Sequence, residues 1–366
     1  MYKILLGDIC TKESSNIRQS DLENHNGDYP IYGASGLIKY IDFYTQDKPY
    51  IGIVKDGAGV GRVMKLPAYS SVIGTMQYII PNDGIDVSYL AYAMEHMNLS
   101  KYYMGAAIPH IYFKDYKHEP LPLHTKEEQK TIVSVLDRIS SLISNKECQT
   151  QKLDKLVKSR FVEMFENNLF PLTKANEVCE FITKGTTPPA SSIYKEYIRG
   201  RIPFIKVYNL SFTGELLFSQ EPQFISNSTH DGQLKRSKVY PNDVLMNIVG
   251  PPLGKFSLVT NEYPEWNINQ AIAIFRAKEK IIPQYLMAAL MQPDVLCPFL
   301  EQAVGIRQQN LNLEQCRNLE IPLPPIDLQN HFADFVARVE KTKSKIKQSI
   351  EKLETLKKSL MQKYFG

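Results

Sequence analysis

The chain has little of what marks secreted, zinc-binding or membrane-spanning proteins. Its five cysteines are scattered and never spaced as CxxC, so neither a disulfide framework nor a zinc site is expected. No apolar run approaches the ~20 residues that cross a bilayer. The N-terminus becomes polar at Lys3 and Asp8, too early for a secretory signal. We therefore expect a cytoplasmic protein without a membrane partner.

Recognisable catalytic motifs are missing as well. The seven histidines are dispersed, and HExxH, GxSxG and metal-ligand spacings do not occur. An S-adenosylmethionine-dependent adenine methyltransferase would carry a nucleotide-binding glycine motif and an Asn/Asp-Pro-Pro-aromatic tetrapeptide. Residues 247–252 (Asn-Ile-Val-Gly-Pro-Pro) do not supply the tetrapeptide. We expect no catalytic residue, no metal and no cofactor.

The net charge of +4 is too small to identify a nucleic-acid binder. Its distribution is more informative, because residues 338–363 carry nine Lys or Arg against three Glu. That basic stretch fits a solvated helix face, a phosphate-facing surface or a docking surface for an acidic partner.

The chain also repeats itself. Residues 105–166 align with residues 305–366 without a gap. Identities in this register include Gly105 with Gly305, Gln129 with Gln329, Leu156 with Leu356, and Phe165 with Phe365. Upstream, at a slightly smaller offset, Gly61 answers Gly254 and Tyr89 answers Tyr285. We interpret the chain as two copies of one unit, each with a variable front part and a more similar back part.

The back parts are predicted to be helices of ~38 residues and ~57 Å, each beginning after a proline. Heptad spacing in the first copy relates Ile132, Ile139 and Leu153, with Val135, Leu142 and Leu156 three residues after them. In the second copy it relates Phe332, Val339, Ile346, Leu353 and Leu360, with Ile350 and Leu356 beside them. A seven-residue period favours two helices wound antiparallel as a spacer. The alternative is that each helix packs on its own domain.

The front parts have the character of mixed α/β domains with short strands between turn residues. Strands are predicted at residues 50–54, 70–73, 77–80, 202–207, 243–248 and 271–275. The predicted fold is therefore α+β (mixed): two globular domains separated by two long antiparallel helices that form a coiled-coil spacer, with a pseudo-twofold repeat. The predicted boundaries are 1–124, 125–166, 167–325 and 326–366.

Residues 56–62 (Asp-Gly-Ala-Gly-Val-Gly-Arg) superficially suggest a phosphate-cradling loop. They match neither GxGxxG opening a helix nor a P-loop, so a tight turn between strands is the better interpretation. The second-copy counterpart, residues 249–255, contains prolines that remove N–H donors. Both loops end in Gly followed by Arg62 or Lys255, and we expect these two side chains to contact DNA phosphates.

Polar clusters lie at residues 184–189 and 206–209, and just before each helix at residues 107–112 and 306–312. Asn and Gln suit the adenine edge and Arg suits guanine, so residues 307–310 (Arg-Gln-Gln-Asn) fit major-groove readout. Turn and capping duties would explain the same residues equally well.

These stretches resemble a known family. Residues 305–325 resemble the segment that closes each target-recognition domain in the specificity subunits of type I restriction-modification enzymes. In the first copy, the same kind of closing segment is formed by residues 121–123 together with residues 127–129. The starts of that family's domains are similar to residues 6–9 and 183–188. The resemblance spans essentially the whole chain. The first domain departs most, since Ile108-Pro109-His110 replaces the usual polar cluster.

The resemblance implies a non-catalytic subunit whose two target-recognition domains, 1–124 and 167–325, each read one half of a split DNA site. Implied partners are double-stranded DNA, two methyltransferase (modification) subunits and restriction/translocase subunits. The candidate DNA-binding residues are Lys39, Lys55, Arg62, His110, Tyr112, Lys114, Lys184, Thr186, Thr187, Lys206, Tyr208, Asn209, Arg236, Lys255, Arg307, Gln308, Gln309 and Asn310. Alternatives are a specificity subunit of a related bipartite (type IIB/IIG-like) restriction enzyme and a coiled-coil scaffold with two ligand-binding modules.

Overall fold

The computed structural model describes residues 3–105, 109–166, 170–250, 252–301 and 310–366. The chain divides into two compact units. Unit 1 comprises Met1–Cys148 and Lys347–Gly366, and unit 2 comprises Gln149–Ile346. Both boundaries fall inside the long helices, so each unit contains the first part of one helix and the last part of the other. Along the described ranges, no helix combines the length and apolar character needed to cross a bilayer.

Unit 1 is built from short strands and a few helices. The strands are β1 (Lys3–Leu5), β2 (Cys10–Ser14), β3 (Tyr29–Gly33), β4 (Gly36–Ile41), β5 (Tyr50–Val54), β6 (Val63–Leu66), β7 (Ser71–Val72), β8 (Met76–Pro81) and β9 (Pro120–Pro122). The helices are α1 (Leu6–Ile9), α2 (Val87–His96), α3 (Phe113–Tyr116) and the first part of α4 (Lys126–Phe165), with 3-10 turns at Gln19–Leu22 and Leu99–Tyr102.

Unit 2 follows the same plan. Its strands are β10 (Leu172–Lys174), β11 (Cys179–Lys184), β12 (Arg201–Ile205), β13 (Phe224–Ser226), β14 (Lys238–Val239), β15 (Val244–Asn247), β16 (Phe256–Leu258), β17 (Trp266–Ile268), β18 (Ile272–Ala277) and β19 (Glu320–Pro322). Its helices are α5 (Ala175–Val178), α6 (Asn227–Asp231), α7 (Pro283–Leu290), α8 (Pro293–Glu301), α9 (Leu313–Arg317) and the first part of α10 (Ile326–Phe365). Its 3-10 turns are Ala190–Ser192, Val207–Asn209, Phe218–Gln220 and Lys235–Ser237.

The sheets of the two units correspond, except that the smaller sheet has three strands in unit 1 (β4-β3-β7) and four in unit 2 (β13-β12-β17-β14). A two-stranded clasp, β1-β9 or β10-β19, joins the start of each domain to the segment before its long helix. The antiparallel sheet of order β2-β8-β5-β6 in unit 1 corresponds to the sheet of order β11-β18-β15-β16 in unit 2. A smaller sheet contains one parallel pair in each unit, β3 with β7 and β12 with β17. The mixed α+β fold and the internal repeat are therefore confirmed.

The two long helices are each 40 residues, about 60 Å. α4 begins with a capping box: the Thr125 N–H donates to the Glu128 carboxylate at 2.8 Å, and Glu128 N–H donates back to Thr125 Oγ1 at 3.3 Å. α10 begins directly after the Pro324-Pro325 pair, which cannot continue the preceding strand. The two predicted helices are confirmed.

Each long helix contributes to the core of both units. Ile132 and Leu136 of α4 pack in the unit 1 core with Met361 and Phe365 of α10. In the unit 2 core, Phe332 of α10 packs with two α4 phenylalanines, Phe161 and Phe165. The first part of each helix thus packs on its own domain, and the last part packs on the domain of the other repeat.

Part of the predicted heptad stripe is wrong. Ile132, Ile139, Phe332 and Val339 are buried as expected, but three of the companion positions, Leu142, Leu156 and Leu356, are more than two-fifths exposed. Leu136 is fully buried in their place. Residues 132, 136 and 139 keep the alternating four- and three-residue spacing of a heptad, with Leu136 rather than Val135 as the buried position between the two isoleucines.

The identities between the two copies make equivalent contacts. The Gln129 side chain accepts from the Asp86 N–H at 2.9 Å and donates to the His124 carbonyl at 3.0 Å. Gln329 accepts from the Ile282 N–H and donates to the Pro324 carbonyl, both at 2.9 Å. A glutamine on each long helix therefore satisfies an N–H group at the start of α2 or α7 and a carbonyl just before its own long helix.

Candidate nucleic-acid interface

The glycine-rich stretch 56–62 is a tight turn between two antiparallel strands, as predicted. β5 and β6 pair directly, and the Gly61 N–H donates to the Val54 carbonyl at 2.8 Å. Gly61 has a φ of +85°, and a side chain there would collide with the backbone of Ser100. The turn therefore needs this glycine for its own geometry.

Arg62 is exposed at the end of this turn. Its Nη1 donates to the Ala34 carbonyl at 2.6 Å, in the turn between β3 and β4. Its guanidinium packs over Gly59. These contacts hold a guanidinium at the surface, and its planar fork of donors matches the geometry of a phosphate.

The segment before α4 pairs with the same turn. The Ile111 N–H donates to the Lys55 carbonyl at 3.0 Å, and the Gly57 N–H donates to the Pro109 carbonyl at 2.9 Å. The Asp56 carboxylate hydrogen-bonds the His110 ring through Nδ1. Two stretches that are more than 50 residues apart in the sequence thus form one junction, which we call the loop junction of unit 1: residues 55–62 with residues 109–114.

Exposed aromatic and basic side chains surround this junction. The ring of Tyr112 lies 4.1 Å from the ring of His110 and is about half exposed. Lys114 Nζ lies 5.1 Å from the centre of the Tyr112 ring. Lys55 Nζ is 3.9 Å from the Asp56 carboxylate. Predicted DNA contacts Lys55, His110, Tyr112 and Lys114 therefore lie together.

Unit 2 repeats the junction. Asn310 forms an antiparallel bridge with Val249, as His110 does with Asp56, and the Leu311 N–H donates to the Ile248 carbonyl at 2.9 Å. Lys255 Nζ lies 5.7 Å from the ring centre of exposed Phe212. The loop junction of unit 2 is accordingly residues 248–250 and 252–255 with residues 310–311. The predicted contacts Arg307, Gln308 and Gln309 lie outside the described residues.

A second group of predicted contacts forms one edge of unit 2. Arg236 Nη2 lies 3.4 Å from Thr186 Oγ1, and Thr187 Oγ1 accepts from the Gln270 N–H at 3.3 Å. Lys184 ends β11 immediately before them. A side chain on Gly185 would collide with the backbone of residues 268–269, so the strand end and the β17–β18 turn are in close contact.

Four predicted contacts, Lys39, Lys206, Tyr208 and Asn209, stand apart from these groups. Lys39 donates to the Leu22 carbonyl at 2.9 Å and to Asn26 Oδ1 at 3.1 Å. Asn209 is fully buried, and its Oδ1 accepts from the Lys206 N–H at 2.9 Å. Neighbouring Tyr208 is partly exposed. Its pKa is raised, mainly by burial and to a smaller extent by the negative charge of Glu221. The Asn209 side chain thus stabilises a turn, which is one of the two roles that its sequence context allows. Lys206 takes part in this turn through its backbone N–H and carbonyl.

Two contributors are not evident from the sequence. The sequence places Asp56 in a turn without a further role, although its carboxylate holds the His110 ring. Phe212 matches no motif, although its ring lies beside Lys255. In the register that aligns Gly61 with Gly254, Asp56 aligns with apolar Val249, so the repeat gives no signal for Asp56, and no sequence signal marks Phe212 either. Among the residues that the structure describes, no cluster of His, Cys, Asp or Glu could hold a metal ion.

Comparisons with known proteins bear on both units. The chain matches the type I restriction modification DNA specificity domain over residues 2–155 and again over residues 172–355. The EcoBI type I restriction enzyme specificity subunit of Escherichia coli is 28% identical over 142 residues, which are 37% of this chain and 29% of that protein. The MjaVIII specificity subunit of Methanocaldococcus jannaschii is 22% identical over 326 residues, which are 84% of this chain and 76% of that protein.

Two solved structures share the fold. The type I restriction-modification S subunit from M. genitalium superimposes with a TM-score of 0.57 at 15% identity, covering 100% of this chain and 96% of that one. A chain from a study of assembly and conformational transition of the type I R-M system gives 0.52 at 14% identity, covering 99% and 97%. Since two tandem domain matches span most of the sequence, the chain belongs to the family of type I restriction-modification specificity subunits and carries two target-recognition domains.

Proposed function

We propose that this chain is the non-catalytic DNA-reading subunit of a type I restriction-modification complex, in which each unit reads one half of a split, asymmetric site. The observation that carries the proposal is the repeated loop junction. In both units a turn that ends in a basic residue pairs with the segment before the long helix, through Asp56 with His110 and Val249 with Asn310. Two equivalent surfaces suit two half-sites.

The side chains at these surfaces divide into two chemical classes. Arg62, Lys114 and Lys255 carry positive charge at the surface and are proposed to contact phosphates, which position a protein on the duplex without reading its sequence. Asn310 is exposed, and an asparagine amide matches the donor and acceptor of an adenine edge. Arg307, Gln308 and Gln309 stay predictions of base readout in unit 2.

The edge of unit 2 formed around Thr186 is proposed to extend this contact. Lys184 and Arg236 are exposed there, and Thr186 and Thr187 place hydroxyl groups beside them. Hydroxyls and cations together are the usual donors to phosphate oxygens. The remaining candidates, Lys39, Lys206, Tyr208 and Asn209, are assigned weaker roles. Lys39 is held by Leu22 and Asn26, and Lys206 and Asn209 bond each other within one turn that also contains Tyr208.

The long helices are proposed to serve as spacer and docking surface. Leu142, Leu156 and Leu356 expose large apolar side chains on them, which a partner would cover. By family membership, we propose that two methyltransferase subunits dock there, that restriction/translocase subunits join them, and that the complex works in the cytoplasm. The division into recognition domains 1–124 and 167–325 with spacer helices 125–166 and 326–366 is kept as part of this proposal.

A binding selection tests the function. The full chain, alone and co-purified with a type I methyltransferase subunit, is incubated with a random duplex DNA library, and bound DNA is sequenced. We expect enrichment of two short sequences separated by a fixed gap. Isothermal titration of the isolated chain with S-adenosylmethionine should show no stoichiometric binding. Enrichment of one uninterrupted sequence, or of none, would contradict the proposal, as would stoichiometric cofactor binding.

A further inference from the structure

The loop junction of unit 1 contains a carboxylate among basic residues. The Asp56 side chain hydrogen-bonds the His110 ring and lies 3.9 Å from Lys55 Nζ. Both members of the pair are partly exposed, at 28% for Asp56 and 27% for His110. A carboxylate at this place repels phosphate and weakens sequence-independent attraction to DNA. Its presence on a phosphate-facing surface therefore requires a reason.

The contact between Asp56 and His110 explains the carboxylate, because it orients the histidine ring. A carboxylate on one ring nitrogen of histidine sets the ring orientation and leaves the other nitrogen available for a further hydrogen bond. Asp56 engages Nδ1, and the ring lies against Tyr112 at 4.1 Å between centroids. The imidazole is thus held on two sides, and Nε2 is the ring nitrogen left to meet a ligand.

The position itself is also shared with unit 2. His110 forms an antiparallel bridge with Asp56 in the glycine-rich turn of unit 1, and Asn310 forms one with Val249, at the equivalent place in unit 2. Asn310 carries an amide, which has a fixed donor and a fixed acceptor and needs no carboxylate to define them. His110 needs one. The acidic residue accordingly accompanies the histidine, and apolar Val249 accompanies the asparagine.

We propose that His110 is the base-reading residue of unit 1, that Asp56 is its positioning residue, and that His110 and Asn310 occupy the same reading position in the two units. Nε2 of His110 meets a base edge in the major groove, while Lys55 and Lys114 flank it on the phosphate backbone. This inference rests on the proposed function. It gives unit 1 a base-reading side chain, although Ile108-Pro109-His110 replaces the usual polar cluster there.

The binding selection described above is repeated with variants of the full chain in complex with its methyltransferase subunit. His110→Ala should lose about tenfold discrimination at one base pair of one half-site, and Asn310→Ala should do the same in the other half-site. Asp56→Asn should relax discrimination at the base pair that His110→Ala affects, while its affinity for random DNA is unchanged or higher because a negative charge is removed.

A matched control lies in the same unit. His25 Nδ1 contacts Asp42 Oδ1 at 2.7 Å, a second exposed histidine–aspartate pair that is not part of the loop junction. His25→Ala and Asp42→Asn should leave every base preference unchanged. His110→Asn is the variant that keeps the fold, because the backbone hydrogen bonds between residues 104 and 110 do not involve the side chain. It should change the preferred base at the base pair that His110→Ala affects.

The outcomes are separable. If the wild-type chain enriches no split site, the proposed function and this inference fail together. If the wild type enriches a split site but His110→Ala and His110→Asn weaken all sequences equally, or change none, only the inference fails, and the Asp56–His110 pair merely holds two loops together.

Discussion

Lys343 of α10 and Asp154 of α4 form an ion pair of 2.8 Å in unit 2, and Lys343 is almost completely buried. Glu340 contacts the same ammonium at 2.9 Å. Burial lowers the pKa of Lys343, but its hydrogen bonds to Asp154 and Glu340 outweigh that effect, and the pKa is raised. Position 143 of the first repeat is an isoleucine, so the pair is specific to one copy. In unit 2 it joins the two helices in one antiparallel register.

The first prediction concerns this pair. Lys343→Met should lower the free energy of unfolding by about 1–3 kcal/mol, because Asp154 and Glu340 lose their partner while partly desolvated. The double variant Lys343→Met with Asp154→Leu should recover most of that loss, since a buried ion pair is often replaced by apolar packing without cost. Urea unfolding measures both. A double variant less stable than the single one would show that the charges are needed for folding itself.

A second prediction concerns pH. His230 is buried, with Nε2 3.1 Å from Glu265 Oε2 and Nδ1 3.1 Å from Asn267 Nδ2. Burial lowers its pKa below 6.5, against the opposing effect of Glu265. The unfolded chain therefore binds more protons than the folded chain just below pH ~6.5, so stability falls as the pH drops through that window. Thermal unfolding between about pH 7.5 and about pH 5.5 should show a steeper loss for the wild type than for His230→Gln. Equal losses in wild type and His230→Gln would mean that His230 does not cause the loss of stability at low pH. The exposed His25→Gln variant is the control and should behave like the wild type.

The third prediction concerns salt. Each phosphate contact contributes a slope of about −0.9 in log K against log salt. Lys255→Ala and Arg62→Ala should each reduce the slope by about one and leave the preferred sequence unchanged. Lys278, an exposed lysine of unit 2 that donates to the Glu177 carbonyl at 3.1 Å, provides a control, since Lys278→Ala should leave the slope unchanged. A changed sequence preference in Lys255→Ala would instead place the loop junction of unit 2 against the bases at Lys255.

The fourth prediction tests the helices as a spacer. Seven residues inserted after Ser144 and seven after Ser344 preserve the helical phase and lengthen each helix by ~10.5 Å. That length corresponds to about three base pairs at ~3.4 Å each. The preferred gap should grow while both half-sequences are kept. Three base pairs also rotate the duplex by about 100°, so binding should weaken by the cost of untwisting DNA.

Selection on a library with random gaps measures the outcome. An insertion variant that folds and still prefers the original gap would rule out the helices as the spacer. A matched variant with the same insertion in α4 alone should bind poorly to every gap, because the two helices would no longer match in length.

Much of the architecture was predictable because it depends on local patterns. The repeat is visible as identities such as Gln129 with Gln329, and both copies of that glutamine make the same backbone contacts. The long helices follow from apolar periodicity and from the prolines before them. The glycine-rich turn was predicted correctly, since the positive φ of Gly61 is a property of a few neighbouring residues.

What needed the folded structure involves residues that are distant in the sequence. Leu142 and Leu156 carry the heptad spacing of buried residues yet are exposed, because which face of a helix is covered depends on what packs against it. Asp56 and His110 are 54 positions apart, and their pairing depends on where β5 ends relative to the segment before α4. Local propensity encodes turns and helices, whereas the meeting of two loops is fixed by strand register and core packing, which are properties of the whole domain.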